Sequence, residues 1–227
     1  MNERSAGTLV LVSTPIGNMG DLSPRAVRAM EGADAVFAED TRRTGRLSAG
    51  LPRMYSYGDH NAQERLPLLG ELLEGGLTVA LVTDAGTPGI SDPAYRAVRL
   101  ALEAGATVSV VPGPSAVTAA LAGSGLPVDR FSFEGFLPRK AGNRARRLAE
   151  IAGYTGTLIF FVGPHHLPKY LTEMLEALGD RPACVARELT KLHEEFVRGS
   201  LGELAARYGN TAVKGEITLL VGGARPV

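Results

Sequence analysis

The stretch Val79-Ala-Leu-Val-Thr-Asp-Ala-Gly-Thr-Pro-Gly-Ile-Ser-Asp-Pro93 decides how the chain is read. Residues 79–82 are a short apolar run rich in β-branched residues, the pattern of a strand buried on both faces. Beyond it Asp84 offers a carboxylate, while Gly86, Pro88, Gly89 and Pro93 exclude both helix and strand. A helix is expected from about Ala94, with Asp92 as N-cap and Pro93 at its first position. Open α/β sheets bind ligands at the C-terminal ends of their parallel strands, where a carboxylate and free backbone amides are useful. A turn whose Gly and Pro serve geometry alone would carry the same residues. Repetition separates the two readings, because the chain builds such a loop three times.

Upstream, Thr8–Val12 reads as a strand followed by Ser13-Thr-Pro-Ile-Gly-Asn18. Ser23 as N-cap and Pro24 at the first position then open a helix through about Glu31. A second strand over 35–38 ends on Glu39-Asp40-Thr41-Arg42-Arg43. The segment 55–64 is polar and reads as irregular; Arg65–Glu74 reads as a helix closed by Gly75-Gly76. Downstream of the opening stretch the helix runs to Ala104, Gly105 stops it, and a fourth strand over Thr107–Val111 meets Pro112-Gly-Pro-Ser-Ala116. Strand and helix therefore alternate at βαβ spacing, which implies a parallel sheet with helices on both faces. The loops after Val12, Val82 and Val111 fall on one sheet edge and can converge.

After a small-residue helix around 116–122 the pattern changes. Strands are expected at Phe131–Phe136, Thr157–Val162, Ala183–Glu188, Glu194–Arg198 and Gly215–Val221, with helices at Pro164–Leu178 and Leu201–Tyr208. Two helices among five strands favour a mixed, partly antiparallel sheet. The expectation is two α/β domains, residues 1–120 with the parallel sheet and 121–227 with the mixed one.

With 44% hydrophobic and 21% charged residues the chain is of ordinary globular composition, and its formal charge of zero provides no global attraction for nucleic acid. Any such binding must come from a local patch. Cys184 is alone, so no internal disulfide forms; its apolar neighbours place it inside a strand. The start Met1-Asn-Glu-Arg has no signal-peptide core, and no apolar run approaches the roughly 20 residues of a membrane helix, so a cytoplasmic location is expected.

Walker, dinucleotide-binding and nucleophile-elbow patterns are absent, and the four histidines are scattered apart from one adjacent pair, so no metal site is expected. Two charged segments carry the chemistry. Arg139, Lys140, Arg144, Arg146 and Arg147 form a run with no acid between Gly135 and Glu150, following Phe131, Phe133 and Phe136. It suits either a phosphate backbone, held by a short flexible element, or a solvated helix face. Glu39, Asp40, Arg42 and Arg43 form either a salt-bridged corner or a working surface; their place at a strand's C-terminal end favours the latter.

Laid out in this way, the sequence resembles the tetrapyrrole methylase superfamily. More narrowly, it is similar to the small-subunit ribosomal RNA methyltransferase I family, which methylates a ribose 2′-oxygen of a cytidine in the decoding region. The resemblance is carried by 13–18, 38–42, His60-Asn61 with Glu64, 83–93, 111–116, 133–139, 186–191 and 214–216. It implies S-adenosylmethionine bound in a cleft between two α/β domains of a homodimer, without metal. It further implies small-subunit ribosomal RNA, or the assembled small subunit, as the substrate. On that reading Pro15, Asp84, Ala85, Gly86, Pro88, Ile90, Ser91, Ser115 and Ala116 hold the cofactor, and Glu39, Asp40 and Arg42 act on the substrate side. Arg139, Lys140, Arg144, Arg146 and Arg147 would then take the RNA. A ribose hydroxyl is a poor nucleophile, so a general base is expected among Glu39, Asp40 and Asp84. The chain departs from the family pattern at Phe160-Phe-Val-Gly-Pro-His-His166, where a Glu and an Arg are usual, and it ends at Val227 where many members continue into a helical tail. The first removes an ion pair or an RNA contact and argues against a catalytic role there; the second implies a smaller RNA-binding surface and places more weight on the basic run. Two other readings stay open, a methyltransferase for a corrinoid or porphyrin precursor and a non-catalytic ribosome-associated RNA-binding module.

Overall fold

The computed structural model describes residues 6–209, 211 and 213–224. The first residues of the chain, on which the expectation of a missing leader rests, and its last residues lie outside the described part. The chain divides into two compact units, Met1–Ser115 and Ala116–Val227. The division falls at the start of the small-residue helix rather than inside it.

The first unit runs β1 (Thr8–Val12), α1 (Pro24–Glu31), β2 (Ala35–Ala38), α2 (Thr41–Thr44), β3 (Met54–Ser56), α3 (Ala62–Glu74), β4 (Thr78–Val82), α4 (Ala94–Glu103) and β5 (Thr107–Val111). The five strands lie in the order β3-β2-β4-β1-β5, every pair parallel. Side chains alternate between two covered faces, which is why β4 reads as a continuous apolar run. Val79 and Leu81 join Leu9, Leu11 and Phe37 beneath α3 and α4, while Ala80 and Val82 join Val12, Val36 and Val111 beneath α1. The chain leaves β1 toward β2 on one side and leaves β4 toward β5 on the other. A crevice opens between such loops, and β1 and β4 are neighbours.

Local chemistry explains the helix ends. Ser23 accepts from the Ala26 amide with Pro24 behind it, as expected. The opening helix begins at Ala94, one position after Pro93, and the Asp92 carboxylate still caps it by accepting from the Ala94 amide. Three elements differ from the sequence reading. Strand β3 lies where the segment from Tyr55 reads as irregular; it is a three-residue edge strand, half-buried, with β2 as its neighbour. Helix α2 is a single turn, Thr41-Arg-Arg-Thr44, between the Asp40 cap and Gly45. Helix α3 starts at Ala62 and carries Pro67 on its exposed side.

The second unit runs α5 (Ala116–Ser124), β6 (Phe131–Phe136), α6 (Ala141–Ile151), β7 (Thr157–Val162), α7 (Leu167–Leu178), β8 (Pro182–Arg187), β9 (Glu195–Ser200), α8 (Leu201–Tyr208) and β10 (Ile217–Val221). Its order is β6-β7-β10-β8-β9, with β6 and β7 parallel and the other pairs antiparallel, the mixed sheet expected. One face carries α6, α7 and α8 around Leu148, Phe160, Leu171, Met174, Leu204 and Leu219. Helix α5 packs against β8, β9 and β10. At Gly123 a Cβ would collide with the Phe196 ring, and Arg198 donates to the Gly123 and Ser124 carbonyls at the helix end. Cys184 is buried in β8, and burial pushes its thiol pKa up, as suits an inert strand residue. Helix α6 separates the two readings of the basic run: Arg144, Arg146 and Arg147 lie on an ordered helix, and Arg139 and Lys140 lie in the turn before it.

Candidate functional site

In the first unit the loops that follow β1, β4 and β5 meet. Thr14 and Gly86 exchange both backbone bonds, at 2.9 and 3.1 Å, and the Thr14 hydroxyl donates to the Thr83 carbonyl at 3.0 Å. Ser13 donates its amide to the Val111 carbonyl at 3.2 Å and its hydroxyl to Thr87 Oγ1 at 3.0 Å. Thr87 in turn donates to the Pro114 carbonyl at 3.4 Å. Ser13 and Thr14 are buried, so their polar groups are spent on holding loops rather than on a ligand. The contact tolerates no bulk. A Cβ at Gly113 would stand 2.9 Å from that of Ser13, and Gly86 holds φ of 84° against Ile16.

The end of β2 is tied to the same rim. Glu39 Oε2 accepts from the Thr83 hydroxyl at 2.9 Å and the Asp84 amide at 3.1 Å. Asp84 accepts the Asp40 amide at 2.9 Å through one oxygen and Arg43 at 2.9 Å through the other. Asp40 caps α2 through the Arg42 amide and binds the Arg42 guanidinium with both oxygens, at 3.2 and 2.9 Å. Hydrogen bonding from Arg42 holds the Asp40 carboxyl down at about 2. Four strand ends are therefore cross-linked by hydrogen bonds in the order in which the strands lie.

Behind the rim, a small cavity is lined by Glu39, Tyr57, Thr83, Pro88, Asp92 and Ala94. Tyr57 donates to the Pro93 carbonyl at 3.2 Å, and burial raises its pKa to about 12, so it stays a neutral donor. Asp92 accepts from the amides of Gly89 and Ala94, yet burial still raises its pKa, with Glu39 and Asp59 adding to the rise. Ser91, at φ of 67°, is the non-glycine residue of this loop held in left-handed backbone, strain of the kind that collects at functional sites.

The residues expected to hold a cofactor thus divide. Ala85, Ile90 and Ser91 lie exposed on the rim, as does Gly89 between them, whereas Pro15, Gly86 and Pro88 are buried beneath it. Asp84 is engaged by Asp40 and Arg43, Ser115 ends the first unit, and Ala116 opens α5. Ser13, Thr14, Thr87 and Tyr57 are structural ties that the sequence reading misses. Small hydroxyl residues beside Gly and Pro are the signal that could have found the first three.

The basic run needs correction. Arg144 does not face outward; it is buried, ion-paired with Glu173, donates at 2.9 Å to the carbonyls of Pro138 and Arg139, and lies 4.9 Å from the Tyr170 ring centroid. Arg147 bonds Glu134 at 2.9 and 2.5 Å and Glu150 at 3.1 Å. The acids missing from the local sequence come from β6, from α7 and from the next turn of α6. Arg139, Lys140 and Arg146 are exposed and make no ion pair with a described residue. Among the described residues no group of three or more His, Cys, Asp and Glu is placed to hold a metal ion, and no helix is long and apolar enough to cross a membrane.

Known proteins share both the sequence and the architecture. The profile of the Tetrapyrrole (Corrin/Porphyrin) Methylases matches residues 8–205. A ribosomal RNA small subunit methyltransferase I of Mycobacterium tuberculosis is 48% identical over 228 residues, spanning 98% of this chain and 80% of the relative. Its namesake in Synechocystis is 46% identical over 225 residues, with 97% and 80% covered. The crystal structure of a uroporphyrin-III C-methyltransferase from Thermus thermophilus, complexed with S-adenyl homocysteine, superposes with a TM-score of 0.67 at 21% identity, over 95% of this chain and 97% of that one. That likeness bears on the fold, and the near full-length identities decide the narrower relation. The chain belongs to the tetrapyrrole methylase family and, within it, to the ribosomal RNA small subunit methyltransferase I family.

Proposed function

We propose that the protein transfers a methyl group from S-adenosylmethionine to the ribose 2′-oxygen of a cytidine in the decoding region of small-subunit ribosomal RNA, acting in the cytoplasm as a homodimer. The observation that carries the reading is the rim of four cross-linked strand ends in a chain nearly half identical to relatives named for that RNA. The exposed rim residues fit the cofactor. Ala85, Gly89 and Ser91 are small, a Cβ at Gly89 would meet nothing within 4 Å, and the loop backbone offers donors and acceptors for an adenosine and an amino acid.

S-adenosylmethionine supplies an electrophilic methyl on a sulfonium sulfur; transfer to oxygen gives an ether and S-adenosylhomocysteine. The work left to this chain is positioning and removal of one proton from the hydroxyl. Asp40 is unsuited to the proton, because Arg42 occupies both its oxygens and holds it strongly acidic. Asp84 has both oxygens engaged. Glu39 uses only Oε2, and Oε1 has no hydrogen-bond partner among the described residues. Glu39 is therefore the base in this reading, Asp40 fixes Arg42, and the exposed Arg42 guanidinium faces the phosphates of the substrate. Methyl transfer from labelled S-adenosylmethionine to small ribosomal subunits lacking the modification tests the proposal. Label on one cytidine ribose supports it. No label, with calorimetry still showing cofactor binding, moves the acceptor to a small molecule.

A further inference from the structure

Strand β6 departs from strict alternation in a way that creates a surface. Residues paired across neighbouring strands share a sheet face. Phe131 pairs with Thr157 and Phe133 with Ile159, but the register then shifts, so that Gly135 pairs with Phe160 and Phe136 with Phe161. Phe160 belongs to the core beneath α6, α7 and α8, so Phe161 and its partners face the opposite way. Without the extra residue, Phe136 would point at the helices. The bulge turns it round and puts Phe131, Phe133 and Phe136 on one face.

The bulge is held in place. Gly135 sits at φ of 63°, and the Glu134 side chain, only 4% exposed, accepts from Arg147 of α6 and from the Ser132 hydroxyl at 2.6 Å. The Phe133 and Phe136 rings lie 4.8 and 5.6 Å from Phe161, tilted at 66° and 59°. Phe136 is nonetheless 64% exposed and Phe131 44%. Three and four residues on, Arg139 and Lys140 follow the strand end with no ion pair to a described residue, and Arg144 pins that turn by both carbonyls it reaches.

We propose that this aromatic row, with Phe136 at its exposed end, is a stacking platform for unpaired bases of the RNA substrate, and that Arg139 and Lys140 hold the adjoining phosphates. An exposed, rigidly backed ring beside free cations is the combination that binds single-stranded nucleic acid without reading its sequence. A protein partner would leave those cations uncompensated, and a duplex would hide its bases from the ring. The inference rests on the RNA methyltransferase reading and adds where the strand lies.

The chain has no tryptophan, so Phe136→Trp installs a single reporter. Its fluorescence is expected to be quenched by a cytidine-rich single-stranded oligoribonucleotide, with affinity close to the native chain. Phe136→Ala is expected to weaken that oligonucleotide, and to raise KM for small subunits, by about tenfold, with cofactor binding and thermal stability unchanged. Native enzyme that methylates small subunits, combined with a silent Phe136→Trp reporter or an unaffected Phe136→Ala, overturns the platform and leaves the methyltransferase standing. Phe136→Ala that sediments at half the native mass while keeping its RNA affinity also overturns it, and assigns the patch to a second copy of the chain. A native chain inert toward RNA removes both readings.

Discussion

Glu39 uses one carboxylate oxygen to hold the β4 loop and leaves the other open. Glu39→Gln keeps a carbonyl oxygen for the Thr83 and Asp84 donors and removes the basic site. Single-turnover methyl transfer should fall by about a hundredfold or more, with cofactor affinity and melting temperature near native. Normal turnover in this variant would move the proton to another group. Asp92 allows a second experiment on the same rim. Its pKa is raised, chiefly by burial, so ionisation opposes folding and stability is lost as pH rises through its folded value. Asp92→Asn can keep the caps on Gly89 and Ala94, since one oxygen meets both amides at 2.8 Å. The variant should gain melting temperature relative to the native chain near neutral pH, and this gain should vanish below about pH 4. Asp92→Ala loses the cap and should cost about 1 kcal/mol. The charged corner at 39–43 could be located from sequence because it ends a clear strand. Which carboxylate keeps a free oxygen could not, because two of the three are engaged by residues distant in sequence: Glu39 by Thr83, and Asp84 by Asp40 and Arg43.

Helix α6 shows what defeats pattern reading at the level of an element. Its inward positions are Arg144, Leu148 and Ile151, spaced as a helix requires, but the first of them is an arginine. Counting apolar residues therefore hides the periodicity. The guanidinium takes that inward place because Glu173, two carbonyls and the Tyr170 ring surround it. Arg144→Ala leaves the partly exposed Glu173 with Lys169 alone, at 4.0 Å, and frees the 138–140 turn, and denaturant melts should show a loss of about 2 kcal/mol. Arg146→Glu, on the outer side of the same helix, should leave stability within about 0.5 kcal/mol. The strands were legible where β-branched runs are covered on both faces, as in β1, β4 and β10. The three residues of β3, half-buried at an edge, carry too little of that signal.

For the molecule as a whole, zero net charge means that RNA affinity depends on few cations. Arg144 and Arg147 are already paired, which leaves Arg139, Lys140 and Arg146 from the basic run. With Arg42 added, oligoribonucleotide binding measured against salt should therefore give a log–log slope of about −3, the value for some four contacts on a single strand; about −4 would mean that all five of the run take part as well. The parallel and mixed sheets were legible from the change in strand and helix rhythm between the two halves. The strand order was not, because residue pattern along the chain says little about which strand lies beside which. That order also sets a schedule. As the chain is synthesised, β1 emerges first, yet both its neighbours, β4 and β5, are made only after α3 is complete. The first strand of the unit therefore waits through β2 and β3 without a permanent partner. Sheet closure is non-local and slow for that reason, and β1 is the stretch that a nascent-chain chaperone would have to shelter longest.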